Sequence, residues 1–309
     1  MSVHRTVLLK EAIEGMLPKE TLKGEQVIVV DATFGGGGHS QEICKRSPGA
    51  KIIALDQDKS VFQKAKDKFN GLNCDISFVN ENFRNIDKVL QKENIEQVDG
   101  IIFDLGLSSD QLENSGRGFS FMKDEPLLMT MKENPSQEDI TAEEVVNTWG
   151  EESLADIIYG YGEERQARRI AKAIVEFRKR QKIKTTFDLV KIIEKAIPAK
   201  FRRGKIHYAT KTFQAIRIAV NDELGALSEG LHKGFKLLKV GGRMSVISFH
   251  SLEDRIVKRF YAEIGGNKIG NKVAKIITKK PITASIEEIK NNGRARSAKL
   301  RILEKIKKW

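Results

Sequence analysis

A strand that runs directly into a glycine-rich turn constrains the fold of this chain more than any other feature. Residues 27–30 are apolar, Asp31 follows them, and Gly35 to Gly38 come three residues later. Glycine adopts positive φ angles and lacks a Cβ, so such a turn brings the backbone close to a ligand. Ser40 is placed to cap the helix that we expect to follow.

A second apolar run ends in another acid. Residues 51–55 lead into Asp56, which lies 19 residues after Gly37. In a doubly wound sheet, a carboxylate at this point accepts hydrogen bonds from the hydroxyls of a ribose. The pattern predicts a ligand that contains a nucleoside. A purely structural glycine turn is the alternative, and Asp56 makes it the weaker one.

The residues of the turn restrict the choice of ligand further. The dinucleotide fingerprint G-x-G-x-x-G fails, because its third glycine position is Ser40 when read from Gly35 and Gln41 when read from Gly36. An acid before the loop would repel a pyrophosphate but suits an amino-acid zwitterion. S-adenosylmethionine combines this zwitterion with a ribose, so we expect it as the cofactor. An NAD-dependent oxidoreductase remains the rival of the same fold class.

Further strands and helices follow in an α/β order. Runs at residues 76–80 and 100–104 predict a parallel sheet with helices on both faces. Ligands bind beyond the carboxyl ends of such strands, where Gly35 to Gly38, Asp56, Phe83 and Asp104 would all lie. A helical stretch interrupts this order, a long helix is expected from Thr212 to Lys239, and the sheet resumes at residues 242–249. Residues 273–278 and 298–303 suit an antiparallel edge pair. We therefore predict a discontinuous domain, residues 1–111 and 212–309, with an inserted helical substrate-recognition domain at residues 112–211.

The charge is unevenly distributed. The formal net charge is +12, and residues 164–217 carry 17 Lys and Arg against 4 Asp and Glu, while residues 258–309 carry 15 against 4. Two such blocks predict a polyanionic partner, because Lys and Arg supply most non-specific affinity for nucleic acid. The candidate phosphate contacts are Arg168, Arg169, Arg202, Arg203, Arg294 and Arg296.

The cysteine count bears on the compartment. Only Cys44 and Cys74 are present, which argues against a disulfide framework and fits a reducing cytosol. We find no long apolar run that could cross a membrane and no signal peptide, so we expect a soluble cytoplasmic protein. The histidines and cysteines show no metal-ligand spacing, and no metal is predicted.

With these residues in place, the chain resembles the RsmH (MraW) family of bacterial methyltransferases, which methylate N4 of a cytidine in the decoding (P-site) region of 16S rRNA. The resemblance covers nearly the whole length. It rests on residues 4–9, 31–40, 104–109, 111–112, 117–121, 161–165, 212–218, 248–255 and 294–301. The family usually has Asp and Arg where this chain has Leu128 and Thr130.

The resemblance implies a Rossmann-like class I methyltransferase fold with an inserted helical domain, S-adenosylmethionine as cofactor, and 16S rRNA, within the small ribosomal subunit, as partner. It implies cofactor contacts from Gly37, Gly38, His39, Asp56, Phe83, Asp104 and Gln111. Whether the chain is a monomer or a homodimer stays open.

Asp104 is the catalytic candidate. A hydrogen-bond acceptor that faces the exocyclic amine of cytosine would stabilise the charge that develops on its nitrogen. Asp104 could instead only orient the cofactor. Ser248, His250, Ser251 and Asp254 resemble a nucleophilic triad, but they crowd one strand-to-helix turn, and a helix cap by Ser251 explains them better. A catalytically silent ribosome assembly factor remains a second rival, since it would keep the basic blocks without needing a cofactor.

Overall fold

The computed structural model describes residues 6–18, 26–204, 206–266 and 272–309. Residues 4 and 5 of the first family motif lie outside these ranges. The chain forms two compact units, Met1–Gly106 together with Leu224–Trp309, and Leu107–Glu223. We call them the sheet unit and the helical unit.

The sheet unit contains a seven-stranded sheet in the order β3-β2-β1-β4-β5-β7-β6. The strands are β1 (Ile28–Asp31), β2 (Lys51–Asp56), β3 (Asp75–Asn80), β4 (Val98–Asp104), β5 (Leu238–Ser248), β6 (Ala274–Ile276) and β7 (Lys299–Lys305). The first five strands pair in parallel, while β7 pairs antiparallel to both β5 and β6. The prediction of a parallel sheet with a late antiparallel pair is confirmed, and β7 lies between β5 and the edge strand β6.

Helices cover both faces of this sheet. They are α1 (Leu9–Met16), α2 (Gly38–Arg46), α3 (Ser60–Ala65), α4 (Ile86–Lys92), α12 (Glu223–Leu237), α13 (Ser251–Ile264) and α14 (Ile286–Asn291), numbered along the chain. Alternate strand residues point to opposite faces. Val30 and Ile53 accordingly join the core under α4, α12 and α13, whereas Val29 and Ile52 join the core under α1 and α2. Burial on both faces explains why these strands are continuous apolar runs.

The helical unit holds the interrupted stretch of the sequence. Its helices are α5 (Ser109–Asn114), α6 (Ala142–Thr148), α7 (Glu151–Gly160), α8 (Ala167–Arg178), α9 (Thr186–Ala196), α10 (Ala199–Arg202) and α11 (Thr210–Asn221). The unit spans Leu107–Glu223 rather than the expected residues 112–211. It is longer because Leu107, Phe213 and Ile216 pack into its own core.

Two local predictions are wrong. The long helix expected from Thr212 to Lys239 is two helices, because Asp222 adopts a left-handed conformation, with φ 45°, between α11 and α12. The cap of α2 is Gly37 rather than Ser40, whose hydroxyl donates to Asp31 instead. In both places a tertiary or backbone constraint outweighs the local residue preference.

The expectation of two free cysteines is also wrong. Cys44 on α2 and Cys74 just before β3 form a disulfide, with their Cα atoms 5.4 Å apart. Both side chains contact the same core under α1 and α2, which brings together residues 30 positions apart. A separation of this size carries no signal of its own in the sequence.

Across the described ranges, every helix is too short or too polar to cross a lipid bilayer.

Candidate functional site

The glycine turn lies at the carboxyl end of β1 and has no room for side chains. Gly37 has φ +75°, and a Cβ there would lie 2.7 Å from the Phe34 ring. A Cβ on Gly38 would lie 1.8 Å from Thr6 Oγ1. Phe34 itself packs against the rings of Phe62, Phe69 and Phe78. The aromatic cluster around Phe34 therefore fixes the position of the turn. The backbone of the turn is held in a conformation that only glycine adopts readily.

Asp56, at the end of β2, holds this turn. One carboxylate oxygen accepts the Gly35 N–H at 2.8 Å, and the other accepts the Asp58 N–H at 2.9 Å. Burial raises the pKa of Asp56 to about 6, these hydrogen bonds oppose that rise, and the charges of Asp58 and Asp31 add to it. Each carboxylate oxygen has a second lone pair, so the group can still accept ribose hydroxyls.

Asp31, at the end of β1, is 1% exposed. It accepts the Ser40 hydroxyl at 2.6 Å and, more weakly, the Thr33 N–H at 3.3 Å. Burial raises its pKa to about 6. Asp31 is buried and Asp56 is half-buried, and no cation among the described residues lowers the pKa of either acid.

Asp104 ends β4, beside β1 in the sheet. Its N–H donates to Thr33 Oγ1 at 2.6 Å, and its Oδ2 lies 3.8 Å from Nδ1 of the buried His39. Its Oδ1 is buried and has no hydrogen-bond partner among the described residues. Such an atom is costly unless a ligand pairs with it, so its position marks a place where a donor belongs.

The charges around Asp104 have opposite effects. Burial raises its pKa to about 7, the Arg294 guanidinium lowers it, and the carboxylates of Asp31 and Glu253 raise it. Arg294, predicted as a phosphate contact, therefore lies close enough to this edge of the sheet to act on Asp104. A carboxyl with a pKa near neutrality can both accept and release a proton at physiological pH.

Phe83 follows β3 and is held by the core. Its ring meets the Phe103 ring edge-on, with centroids 5.5 Å apart. On its other side lies Gly230 of α12, where a Cβ would come within 2.8 Å of the Phe83 ring. The side chain is only partly buried, which leaves ring surface for an adenine.

Five of the predicted cofactor residues thus share the carboxyl edge of the sheet unit: Gly37, Gly38, His39, Asp56 and Asp104. Phe83 follows the end of the neighbouring strand β3. Gln111 belongs to the helical unit, where its Oε1 accepts the Ser108 N–H at 3.0 Å and caps α5. Sequence reasoning did not identify Thr33 or Ser40 as partners of the acids, although both belong to the run between β1 and α2.

The predicted phosphate contacts differ in exposure. Arg168 and Arg169 are exposed on α8, and Arg203 and Arg296 are also exposed. The Arg202 guanidinium is already paired within the helical unit. It donates to the Ile197 carbonyl at 2.8 Å and lies 3.7 Å from Glu194.

The resemblance to a nucleophilic triad has no geometric basis. Asp254 binds Arg301 at 2.7 Å and Lys299 at 3.1 Å, while the Ser248 hydroxyl points to the Lys299 carbonyl. The cap of α13 is His250, not Ser251 as expected, and His250 lies 3.1 Å from Glu253.

Comparisons with known proteins identify the family of the chain. The model of the MraW methylase family matches residues 1–306. Three curated relatives carry the name "Ribosomal RNA small subunit methyltransferase H". The protein from Oceanobacillus iheyensis is 44% identical, over 100% of this chain and 96% of its own length. That from Brevibacillus brevis is 44% identical over 98% of both chains. That from a Sulfurihydrogenibium species is 46% identical, over 99% of this chain and 100% of its own. The chain belongs to the MraW methylase family.

Proposed function

We propose that this protein transfers a methyl group from S-adenosylmethionine to N4 of a cytidine in the P-site region of 16S rRNA, within the small ribosomal subunit. The names of the relatives support a small-subunit rRNA substrate. The observation that carries the cofactor is a set of three acids around a glycine turn, the buried Asp31 and the half-buried Asp56 and Asp104. A cationic nucleoside would add positive charge to this acidic edge, where, among the described residues, Arg294 acts on Asp104 alone.

The residues fit such a cofactor. The glycine turn and His39 would hold its amino-acid end, Asp56 its ribose and Phe83 its adenine, with Asp104 beside the reacting centre. Bound there, S-adenosylmethionine supplies an electrophilic methyl group. The protein's task is then to hold the amine in line with that methyl at near-attack distance.

Asp104 has the chemistry to act on the amine. The N4 lone pair of cytosine is delocalised into the ring, so the amine becomes a better nucleophile as its N–H donates to a carboxylate. The unpartnered Oδ1 of Asp104 is available for that hydrogen bond. When the N–C bond forms, the amine must lose a proton, and a carboxyl with a pKa of about 7 can accept it.

The cysteines argue against methylation of carbon-5. That reaction needs a thiolate that attacks carbon-6 of the pyrimidine. The only two cysteines, Cys44 and Cys74, are bonded to each other, and Cys44 is 2% exposed. An exocyclic amine is methylated without a covalent intermediate. The cytidine still has to leave its stack to reach the edge of the sheet.

The decisive experiment uses small ribosomal subunits from cells that lack this gene. The purified protein and S-adenosylmethionine should produce N4-methylcytidine, detected by mass analysis of digested 16S rRNA. Asp104→Asn should lower the turnover by about two to four orders of magnitude, the usual effect of losing a general base. The control is Asp75→Asn, which changes an exposed acid at the other end of the sheet.

The double variant Cys44→Ala, Cys74→Ala completes this experiment. We expect it to yield the same product, measured at a low temperature that allows for its lost disulfide. A methyl group on carbon-5 would contradict the proposal, and an unchanged rate in Asp104→Asn would reduce Asp104 to a cofactor contact. We place the protein in the cytoplasm, where small subunits are made.

A further inference from the structure

The helical unit carries a stack of flat rings. The rings of Phe121 and His207 lie nearly parallel, with centroids 4.6 Å apart and an interplanar angle of 8°. The Tyr208 ring packs against the His207 ring, with their centroids 4.1 Å apart. Phe213 supports Phe121 edge-on from the core, at 5.5 Å and 81°. All the rings but Phe213 are only partly buried, so surface of the stack is open to solvent.

Basic residues adjoin this stack. Burial raises the pKa of the Tyr208 hydroxyl, Glu194 raises it further and Arg202 lowers it, so both charges lie nearby. Arg202 ends the short helix α10, and the exposed Arg203 follows it. The end of α10 therefore brings positive charge to the edge of the aromatic stack.

Large apolar side chains close to these residues in the chain are also exposed. Phe201 of α10 is 53% exposed, and the Lys200 ammonium lies 5.0 Å above its ring. Ile206, next to His207 in the chain, is 54% exposed, and Met122, next to Phe121, is 72% exposed. Exposed apolar side chains in a stretch of chain that also carries aromatic rings and cations favour an interaction site.

The combination of rings and cations selects the occupant. A protein partner or a lipid surface would not need parallel rings, whereas a nucleobase adds to a stack as its next member. Unpaired RNA is bound by this combination of stacking on aromatic rings and neutralised phosphates. We propose that the exposed Phe201 ring and the open surface of the stack of Phe121, His207 and Tyr208 form a stacking platform for unpaired bases of the RNA substrate, with Lys200 and Arg203 binding the adjoining phosphates. This inference rests on the proposed function, which supplies the RNA.

The test measures binding of a fluorescent, unstructured 12-nucleotide RNA to the full-length protein at several salt concentrations. Phe201→Ala should weaken binding by about 5- to 100-fold, the range for one lost base–aromatic stack, and should leave the salt slope unchanged. Phe201→Trp should restore the affinity. Arg203→Glu should flatten the salt slope. The control is Ile286→Ala, which removes an equally prominent apolar side chain, 76% exposed, from the sheet unit.

Three outcomes would overturn the platform: unchanged affinity in Phe201→Ala, an equal loss in Ile286→Ala, or an equal loss for a 12-base-pair RNA duplex, whose bases cannot splay out. Methylation of small subunits by the same variants separates this failure from that of the proposed function. If Phe201→Ala methylates them with an unchanged KM, the platform is wrong and the function stands. If the wild type transfers no methyl group to rRNA, the function itself is wrong.

Discussion

Three acids at the carboxyl edge of the sheet govern how the site responds to pH. The folded protein holds protons on Asp31, Asp56 and Asp104 at pH values where the unfolded chain has released them, because burial raises their pKa values to about 6, 6 and 7. Stability conferred by the protonated acids is therefore lost as the pH rises from the unfolded pKa towards the folded ones. A bound cation favours the ionised carboxylates and reverses this trend.

We therefore expect the affinity for S-adenosylmethionine to rise between about pH 5.5 and 7.5 and then to level off, with protons released on binding. Calorimetry in two buffers of different ionisation enthalpy measures the release directly. Asp104→Asn should reduce it, whereas Asp75→Asn should not. The product S-adenosylhomocysteine, which lacks the sulfonium charge, serves as the matched ligand and should show a weaker pH dependence. Proton uptake on binding would contradict the charge assignment.

At the scale of the element, the glycine turn depends on two separable constraints. Gly37 and Gly71 have nearly the same φ, +75° and +79°, but a Cβ on Gly37 meets the Phe34 ring while a Cβ on Gly71 meets nothing within 4 Å. Substitutions at Gly37 and Gly71 can be compared directly. Both force a side chain into a positive φ, but only the substitution at Gly37 also meets a neighbouring ring.

Gly71→Ala should cost about 1–2 kcal/mol of stability, the penalty for a left-handed alanine. Gly37→Ala should cost more and should also abolish cofactor binding, since either Phe34 or the turn must move. Denaturant unfolding and calorimetry of each variant check this. Equal losses of stability in the two variants, with cofactor binding retained in Gly37→Ala, would show that the Phe34 ring does not constrain the turn.

The elements also show what a sequence can reveal. The parallel strands were predictable because burial on both faces makes them continuous apolar runs, as in residues 28–30 and 52–55. The acids at the ends of these strands were predictable because each apolar run stops at one of them. The break at Asp222 was not, because neither glycine nor proline marks it and a left-handed aspartate has no signature of its own in a sequence. The pairing of the Gln111 and Arg202 side chains was equally hidden, since each binds a backbone atom that no sequence pattern marks.

At the scale of the whole molecule, the exposed basic residues predict a strongly salt-dependent affinity for RNA. Arg168 and Arg169 face solvent on α8. Replacing both with Glu should make the plot of log affinity against log salt less steep, by about 0.7 for each phosphate that the protein no longer neutralises. Cofactor affinity should change little.

The matched control is Lys88→Glu with Lys92→Glu, which reverses two exposed lysines on α4. Fluorescence anisotropy with 16S rRNA fragments gives both slopes. Equal changes of slope in the two double variants would mean that overall charge, rather than the surface of α8, attracts the RNA.

The position of β7 sets the order in which the sheet can assemble. β6 precedes β7 in the chain and, among the described strands, pairs only with β7, so β6 joins the sheet through β7 alone. The helix α1 has the same dependence, since Gly15 lies directly against Ile302 of β7. Contacts between such distant parts of a chain form late and slow the folding of a domain. The edge that holds the three acids is built from strands β1, β2 and β4, which pair with one another and not with β7, so this edge does not depend on the last strand of the chain.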